Sequence, residues 1–211
     1  MRAVPPRATN ALAIGTLVVS GLLIATGLND YAAIGAGFIP ARVEGAAMPA
    51  DLAFVLPVWM TPLGATLVHA SWVHLGMNLL MLVYCGREAE KALGWRGTAV
   101  LYVIGAYVAA AGQWALSPHS PEPMVGASGA ISALLAAYAM LFGQRRAKAI
   151  GPFSGKVVHM VWLAAAWVGV QALVGFAGLG GMRIAIGAHV GGFLAGLVLT
   201  KPLLLWRFRK A

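Results

Sequence analysis

Six long stretches of this 211-residue chain contain no charged side chain. They run over residues 11–28, 52–86, 97–121, 123–144, 157–182 and 184–200. A helix needs roughly 20 apolar residues to cross the hydrocarbon core of a bilayer, and only a helix or a closed barrel satisfies its backbone there. Because 60% of the residues are hydrophobic and only 10% are charged, an ordinary soluble domain is excluded. The pattern predicts an all-α membrane protein with six transmembrane helices.

The second apolar stretch, residues 52–86, is too long for a single crossing. Pro57 and Pro62 lie near its start, where they disfavour a continuous helix. We therefore expect a structured outer loop that skims the membrane, followed by a helix that begins near Ser71. The fold predicted is a six-helix bundle with this loop between its first and second helices.

The basic residues predict the orientation of the chain, because short loops rich in Lys and Arg stay in the cytoplasm. With six spans, 13 of the 15 Lys and Arg residues fall inside and only Arg42 and Arg183 fall outside. Both termini are then cytoplasmic: residues 1–10 form an N-terminal segment, 11–206 a single six-span domain and 207–211 a basic tail. The net charge of +9 is explained by this asymmetry and by lipid headgroups, so no nucleic-acid partner is expected.

The first apolar run, residues 11–28, follows Arg2 and Arg7 and also fits the pattern of a signal peptide. At 18 residues it is longer than a usual signal core, and its removal would break the charge asymmetry, so we expect an uncleaved helix. The single cysteine, Cys85, excludes an internal disulfide, and we interpret it as a packing residue.

Two short polar islands interrupt the apolar stretches, one at Gly126–Gly129 and one at Gly187–His189. Polar and ionisable side chains within spanning segments are costly and usually functional. With the predicted topology, Ser128 and His189 both lie in the outer half of the membrane. A serine hydroxyl becomes a nucleophile when a neighbouring base takes its proton. The hypothesis is a Ser128 nucleophile with His189 as its base.

Attack on an amide carbonyl also needs donors for the developing oxyanion. Ser128 lies in the first turn of its predicted helix, where backbone N–H groups lack intrahelical partners. His74 and Asn78 are four residues apart and share a helical face that can present side-chain donors. Gly129 allows substrate backbone to approach closely. Since no carboxylate is expected at this depth, the site is predicted to be a dyad.

Small residues are predicted to bring the fourth and sixth helices together. Gly192 and Gly196 form a Gly-xxx-Gly step on the sixth helix, opposite the face of Ser128, Ser132 and Ala136 on the fourth. We expect the serine and histidine to meet across this seam.

These residues together resemble the rhomboid family of intramembrane serine proteases, over about residues 69 to 200. The resemblance is carried by four motifs in order: His69 with His74-Leu-Gly-Met-Asn78, Glu90-Lys-Ala-Leu-Gly94, Gly126-Ala-Ser128-Gly129, and Gly187-Ala-His189-Val-Gly-Gly192-Phe-Leu-Ala-Gly196. It implies Ser128 as nucleophile, His189 as general base, and His74 and Asn78 as oxyanion donors. It also implies transmembrane protein substrates and, with the predicted topology, the plasma membrane of a bacterium or archaeon.

Two positions depart from the family pattern. Many members carry a tyrosine four residues after the nucleophile, where it supports the catalytic histidine, and this chain has Ser132. The Trp-Arg pair common in the first outer loop is also absent, the nearest match being Val58-Trp59-Met60. We expect His189 to be supported in a different way.

Three other interpretations fit the sequence less well. His69, His74 and His189 are able to hold zinc in principle, but the chain has no His-Glu-x-x-His motif or intramembrane carboxylate, so no metal or other cofactor is expected. A catalytically silent rhomboid-like protein that binds membrane clients is the main alternative, against which the intact Ser128 and His189 argue. A transporter is disfavoured because no matched half-chain repeats are evident. His69 is expected to brace the loop.

Overall fold

The computed structural model describes residues 6–142, 148–176 and 185–209, and helices dominate these ranges. The helices are α1 Arg7–Ala25, α2 Asn29–Ala36, α3 Thr61–Gly64, α4 Trp72–Leu116, α5 Ser128–Phe142, α6 Gly155–Phe176 and α7 Ile186–Phe208, with single-turn 3-10 helices at Pro40–Glu44, Val58–Met60 and Ala65–Leu67. Within the same ranges the only β-type pairings are two isolated bridges. The all-α prediction is confirmed.

Some sequence predictions fall outside the described residues. These are the basic residues Arg2, Arg145, Arg146, Arg183 and Lys210, residues 143–144, 177–182 and 184 of the fourth, fifth and sixth apolar stretches, and parts of the segments 1–10 and 207–211.

Large apolar side chains are exposed on several of the described helices. By length and composition α1, α4 and α7 are each able to cross a membrane. Large side chains such as Ile14, Trp162 and Val198 expose 62%, 69% and 69% of their surface. Burying such side chains in lipid is favourable, whereas exposing them to water is not. The described helices are therefore those of an integral membrane protein.

Helix α4 has two arms, residues 72–93 and 95–116, separated at Gly94, which has φ 73° and ψ 165°. Glycine populates this region freely because it has no Cβ. Arg207 at the end of α7 donates a hydrogen bond to the carbonyl of Lys91, one of the carbonyls left free where the first arm ends. The first arm begins at Trp72 with Ser71 as its N-cap, one residue from the predicted start.

The centre of the molecule is formed where α4, α5 and α7 pack together. A methyl group built on Gly192 would lie 1.9 Å from the carbonyl oxygen of Gly129, and one on Gly196 would lie 2.3 Å from that of Ala133. Only glycine at these positions lets the α7 backbone come so close to α5. Cys85 is completely buried in the core beside this seam, in agreement with a packing role.

The connection between α2 and α4 holds the segment that precedes α5. Phe38 and Met124 exchange two backbone hydrogen bonds of 3.0 and 2.8 Å. The N–H of Gly126 donates to the carbonyl of Ala65 at 2.8 Å. The start of α5 is therefore positioned by parts of the chain about 60 to 90 residues earlier.

Helix α1 is fixed to α4 through a buried carboxylate. Glu90 is only 5% exposed and accepts hydrogen bonds from the N–H groups of Ala8 and Thr9, at 3.0 and 2.8 Å, and from the Thr9 hydroxyl at 2.7 Å. The free N–H groups at a helix N-terminus and the helix dipole both favour a negative charge there. Glu90 thus acts as a tertiary N-cap for α1.

Candidate active site

Ser128 and His189 are in contact at the seam between α5 and α7. The Oγ atom of Ser128 lies 2.8 Å from Nε2 of His189, within hydrogen-bonding distance. Ser128 is the first residue of α5 and His189 lies in the first turn of α7. Both are buried, with 9% and 4% of their surface exposed. Residues 61 positions apart in sequence thus bring a hydroxyl and an imidazole together.

Gly126 explains how His74 reaches this site. The residue has φ +107°, and a methyl group built on it would lie 2.7 Å from both Nε2 and Cε1 of the His74 ring. A side chain at position 126 would therefore collide with the imidazole. Glycine lets His74 lie directly against the backbone two residues before Ser128.

Asn78 is buried one turn further along α4. Its Nδ2 donates to the carbonyl of His74 at 2.9 Å, while its Oδ1 has no partner among the described residues. An amide group carries two N–H donors, so one remains for a ligand after this bond is made. His74 and Asn78 lie one turn apart on the same side of α4.

His69 makes two hydrogen bonds that join three parts of the fold. Its Nε2 accepts from the N–H of Ala127 at 3.4 Å, and its Nδ1 lies 2.8 Å from the hydroxyl of Ser20 on α1. The Ser20 hydroxyl donates to the carbonyl of Leu67 at 2.7 Å, so the proton of the His69 pair is assigned to Nδ1. Both ring nitrogens are then engaged.

A tryptophan that the sequence analysis did not single out borders the site. The indole Nε1 of Trp167 on α6 donates to Oγ of Ser132 at 2.7 Å, and the Ser132 hydroxyl donates to the carbonyl of Ser128 at 2.8 Å. The Trp167 and His189 rings have centroids 6.1 Å apart. The signal available in the sequence was that a buried indole N–H needs an acceptor, which Ser132 can supply.

Metal ligation finds no support in the geometry of the parts of the chain that the structure describes. The rings of His69 and His74 are 4.8 Å apart, centroid to centroid. Across residues 6–142, 148–176 and 185–209, however, no group of three or more His, Cys, Asp or Glu side chains is arranged to hold an ion.

The fold and site together define a class: helical integral membrane proteins in which two packed helices bring a serine hydroxyl against a buried histidine. A family model described as the Rhomboid domain matches residues 57–206. The chain belongs to the rhomboid family.

Curated relatives are bacterial proteins named rhomboid protease GlpG. The one from Serratia proteamaculans is 33% identical over 154 residues, which is 72% of this chain and 50% of the relative. The one from Pectobacterium atrosepticum is 34% identical over 136 residues, 64% of this chain and 45% of the relative. The one from Yersinia pestis is 31% identical over 156 residues, 73% of this chain and 51% of the relative. The chain thus spans about half the length of the curated relatives it matches.

Proposed function

We propose that this protein is an intramembrane serine endopeptidase that cleaves peptide bonds in or beside the transmembrane segments of other membrane proteins. The observation that carries the proposal is the 2.8 Å contact between Ser128 Oγ and His189 Nε2. Membership of the rhomboid family and the name of the bacterial relatives support the same chemistry.

The proposed reaction has two steps. Ser128 Oγ attacks the scissile carbonyl carbon while its proton passes to His189 Nε2, and the resulting tetrahedral intermediate carries the negative charge on oxygen. The C–N bond then breaks, the leaving amine takes the proton from His189, and an acyl-enzyme remains. Water attacks this ester while giving one proton to the same histidine. The bond from Ser128 Oγ to the acyl carbon then breaks, His189 returns the proton to Oγ, and the carboxylic acid is released.

Three groups are proposed to stabilise the oxyanion. The N–H of Ser128 belongs to the first turn of α5, where backbone donors are unpaired within the helix. His74 lies against the Gly126 backbone, and Asn78 keeps one amide hydrogen after bonding to its own helix. Donors held in place before the reaction stabilise charge at low reorganisation cost.

The proposed topology has six membrane spans. They are α1, the two arms of α4, α5, α6 and α7, with residues 11–206 as the domain, both termini in the cytoplasm and the site opening to the outer face. The membrane is the bacterial inner membrane, as the bacterial relatives suggest. Substrates enter between the first arm of α4 and α6, which are the second and fifth spans. Water reaches Ser128 from the outside.

The test is labelling of the detergent-solubilised protein with a fluorophosphonate, together with cleavage of a fluorescent transmembrane peptide rich in Gly and Ala. We expect the wild-type protein to be labelled and active, and Ser128→Ala and His189→Ala each to lose at least about 10³-fold in cleavage. Ser154→Ala is the control, because the Ser154 hydroxyl is exposed and its hydrogen bond is a local one, from the N–H of Val157 at the start of α6. Labelling that survives Ser128→Ala would reject the nucleophile.

Two other outcomes separate the alternatives. Recovery of an uncut client with the wild-type protein, without peptide cleavage, would support the catalytically silent client-binding protein instead. Activity lost to a chelator and restored by zinc would contradict a metal-free dyad.

A further inference from the structure

The imidazole of His189 needs a support that the described residues do not supply by hydrogen bonding. Its Nε2 lies against Ser128 Oγ, while its buried Nδ1 has no hydrogen-bond partner among the described residues. In a serine hydrolase the second ring nitrogen is commonly held by an acceptor that fixes the tautomer and orientation of the base. Another kind of contact has to restrain this ring.

Trp167 provides such a contact. Its ring centroid is 6.1 Å from that of His189 with the planes inclined by 53°, which falls within the range of favourable aromatic pairs. Trp167 is itself only 8% exposed. The electron-rich face of an indole also attracts a cation, so the same neighbour favours the imidazolium that forms during the reaction.

The orientation of Trp167 is set by Ser132. The indole N–H donates to Ser132 Oγ at 2.7 Å, and the Ser132 hydroxyl donates to the backbone carbonyl of Ser128 at 2.8 Å. The contacts form a closed circuit that runs from the Ser128 backbone through Ser132, Trp167 and His189 back to the Ser128 hydroxyl. A rotation of the indole would break its hydrogen bond and leave a buried N–H unsatisfied.

The cavity beside the Trp167 and His189 rings has otherwise apolar walls. Trp167 and His189 line one cavity of about 210 Å³ between α6 and α7, whose other lining side chains are apolar, Phe193 and Leu194 among them. An apolar cavity of this kind cannot orient an imidazole by hydrogen bonding. The aromatic contact is therefore the main restraint visible on this side of the ring.

We propose that Trp167 is a positioning residue for His189, held in place by Ser132. The inference rests on the proposed function, since it assigns Trp167 a role in orienting the base of that reaction. It also accounts for the serine at position 132. Its small side chain supplies an acceptor for the indole, and its hydroxyl proton remains for the carbonyl of Ser128.

The experiment measures kcat, KM and the fluorophosphonate labelling rate of Trp167→Phe, Ser132→Ala and the double variant. Trp167→Phe removes the bond from the indole to Ser132, and Ser132→Ala removes that bond together with the one to the Ser128 carbonyl. For both variants we expect kcat and the labelling rate to fall about threefold to tenfold with KM nearly unchanged. Because both changes break the Trp167–Ser132 bond, the double variant should match Ser132→Ala within about twofold.

Matched controls separate orientation from general destabilisation. Trp162→Phe changes a 69% exposed tryptophan of the same helix, and Thr200→Val removes a buried hydroxyl whose one hydrogen bond among the described residues is to the carbonyl of Gly196 in its own helix. Both should leave kcat unchanged. If Ser132→Ala and Trp167→Phe keep wild-type kcat, raise only KM, or lose activity independently and multiplicatively, the inference is wrong. Wild-type protein that shows no Ser128-dependent labelling would instead overturn the proposed function, and the inference with it.

Discussion

The three histidines around Ser128 differ in what their ring nitrogens contact. His189 faces the Ser128 hydroxyl with Nε2, and His74 lies against the Gly126 backbone and accepts from the N–H of Ala70 with Nδ1 at 3.4 Å. His69 has both nitrogens engaged, one by the Ser20 hydroxyl and one by the Ala127 N–H. A nitrogen that already accepts a hydrogen bond cannot also serve as a base without breaking it. These contacts favour a bracing role for His69 and leave proton transfer to His189.

Replacing His69 should therefore lower stability more than it lowers catalysis. His69→Ala removes two buried hydrogen bonds and leaves the Ala127 N–H unpaired, so the free energy of unfolding should fall by about 2–3 kcal/mol. Thermal unfolding in detergent measures this loss, and kcat per folded molecule should stay within about tenfold of the wild type. His119→Ala is the control. His119 is exposed, and its one hydrogen bond among the described residues is to the Glu44 side chain. A wild-type melting temperature for His69→Ala would contradict the assignment.

Replacing a proposed oxyanion donor should lower catalysis more than it lowers stability. His74→Ala or Asn78→Ala removes a donor that acts mainly in the transition state, so kcat should fall about 10²- to 10³-fold while KM changes little. Steady-state cleavage of the transmembrane peptide measures both constants. Met77→Leu, a volume-conserving change between the two residues, serves as the control. A pure KM effect would place these side chains in substrate binding instead.

At the scale of single residues, the sequence predicts Ser128 and His189 as site residues but does not predict Trp167. Ser128 and His189 stand out because a polar group within an apolar span is costly and asks for an explanation. Trp167 does not stand out, because tryptophans in such chains are expected at the membrane surface, where they need no specific partner. The partner, Ser132, lies 35 residues away on another helix, and only the packing of α5 against α6 brings the two together.

Among the helices, the approach of α7 to α5 is the feature that holds the site together. Gly192→Ala places a methyl group 1.9 Å from the carbonyl oxygen of Gly129 in the unaltered structure, so the backbones have to separate. We expect a loss of about 1–3 kcal/mol in stability and a fall in kcat, because the shift also moves His189 from Ser128.

The matched control for this change is Gly15→Ala on α1, where an added methyl group meets nothing within 4 Å. There the higher helix propensity of alanine should leave stability unchanged or raise it by up to about 1 kcal/mol. Peptide cleavage and thermal unfolding are measured for Gly192→Ala and Gly15→Ala and compared with the wild type. Equal behaviour of the two would show that close helix approach is not required.

Glu90 provides a second prediction about helix packing. Glu90→Gln keeps the size of the side chain. It removes the negative charge and replaces one of the two oxygens that accept hydrogen bonds from the N–H groups of Ala8 and Thr9. The free energy of unfolding should fall by about 1–3 kcal/mol, since hydrogen bonds to a charged group are the stronger ones. Glu88→Gln is the control, because the Glu88 carboxylate contacts an exposed Lys91 side chain at the surface. Thermal unfolding that is equally affected in both variants would argue against a specific N-cap.

Helix types are easier to anticipate than helix connections. Long uncharged apolar runs predict helices because a helix satisfies all backbone hydrogen bonds within one segment in lipid, and the long described helices follow those runs. The short helices between α2 and α4 do not follow from periodicity. They depend on distant contacts such as that between Phe38 and Met124. The N-cap role of Glu90 is likewise long-range, 82 residues from Ala8.

For the molecule as a whole, the orientation in the membrane is proposed from charge alone. The Lys and Arg residues divide 13 to 2 between the two sides if there are six spans. Such a bias sets orientation because positively charged loops are retained in the cytoplasm. The location of the site follows from it: with the opposite orientation, Ser128 would open toward the cytoplasm and meet a different set of substrates.

Cysteine accessibility in intact cells tests this orientation directly. The only native cysteine, Cys85, is completely buried, so Cys85→Ala gives a background without reactive thiols at modest cost. In that background, cysteine at Asp51 or His119 should react with a membrane-impermeant maleimide applied to spheroplasts. Cysteine at Lys148 or Arg209 should react only after lysis. Each variant is first checked for peptide cleavage, so that only folded protein is counted.

The pattern of labelling distinguishes the possible errors. If Lys148 and Arg209 are labelled in intact spheroplasts while Asp51 and His119 are not, the whole molecule is inverted and the charge argument is wrong. If only Lys148 is labelled from outside, the number of spans between α4 and α6 differs from the six proposed. Outer labelling of Asp51 and His119 alone would place the Ser128 end of α5 near the outer face, since the connection that holds this end, through Ala65 and Gly126, belongs to the same side.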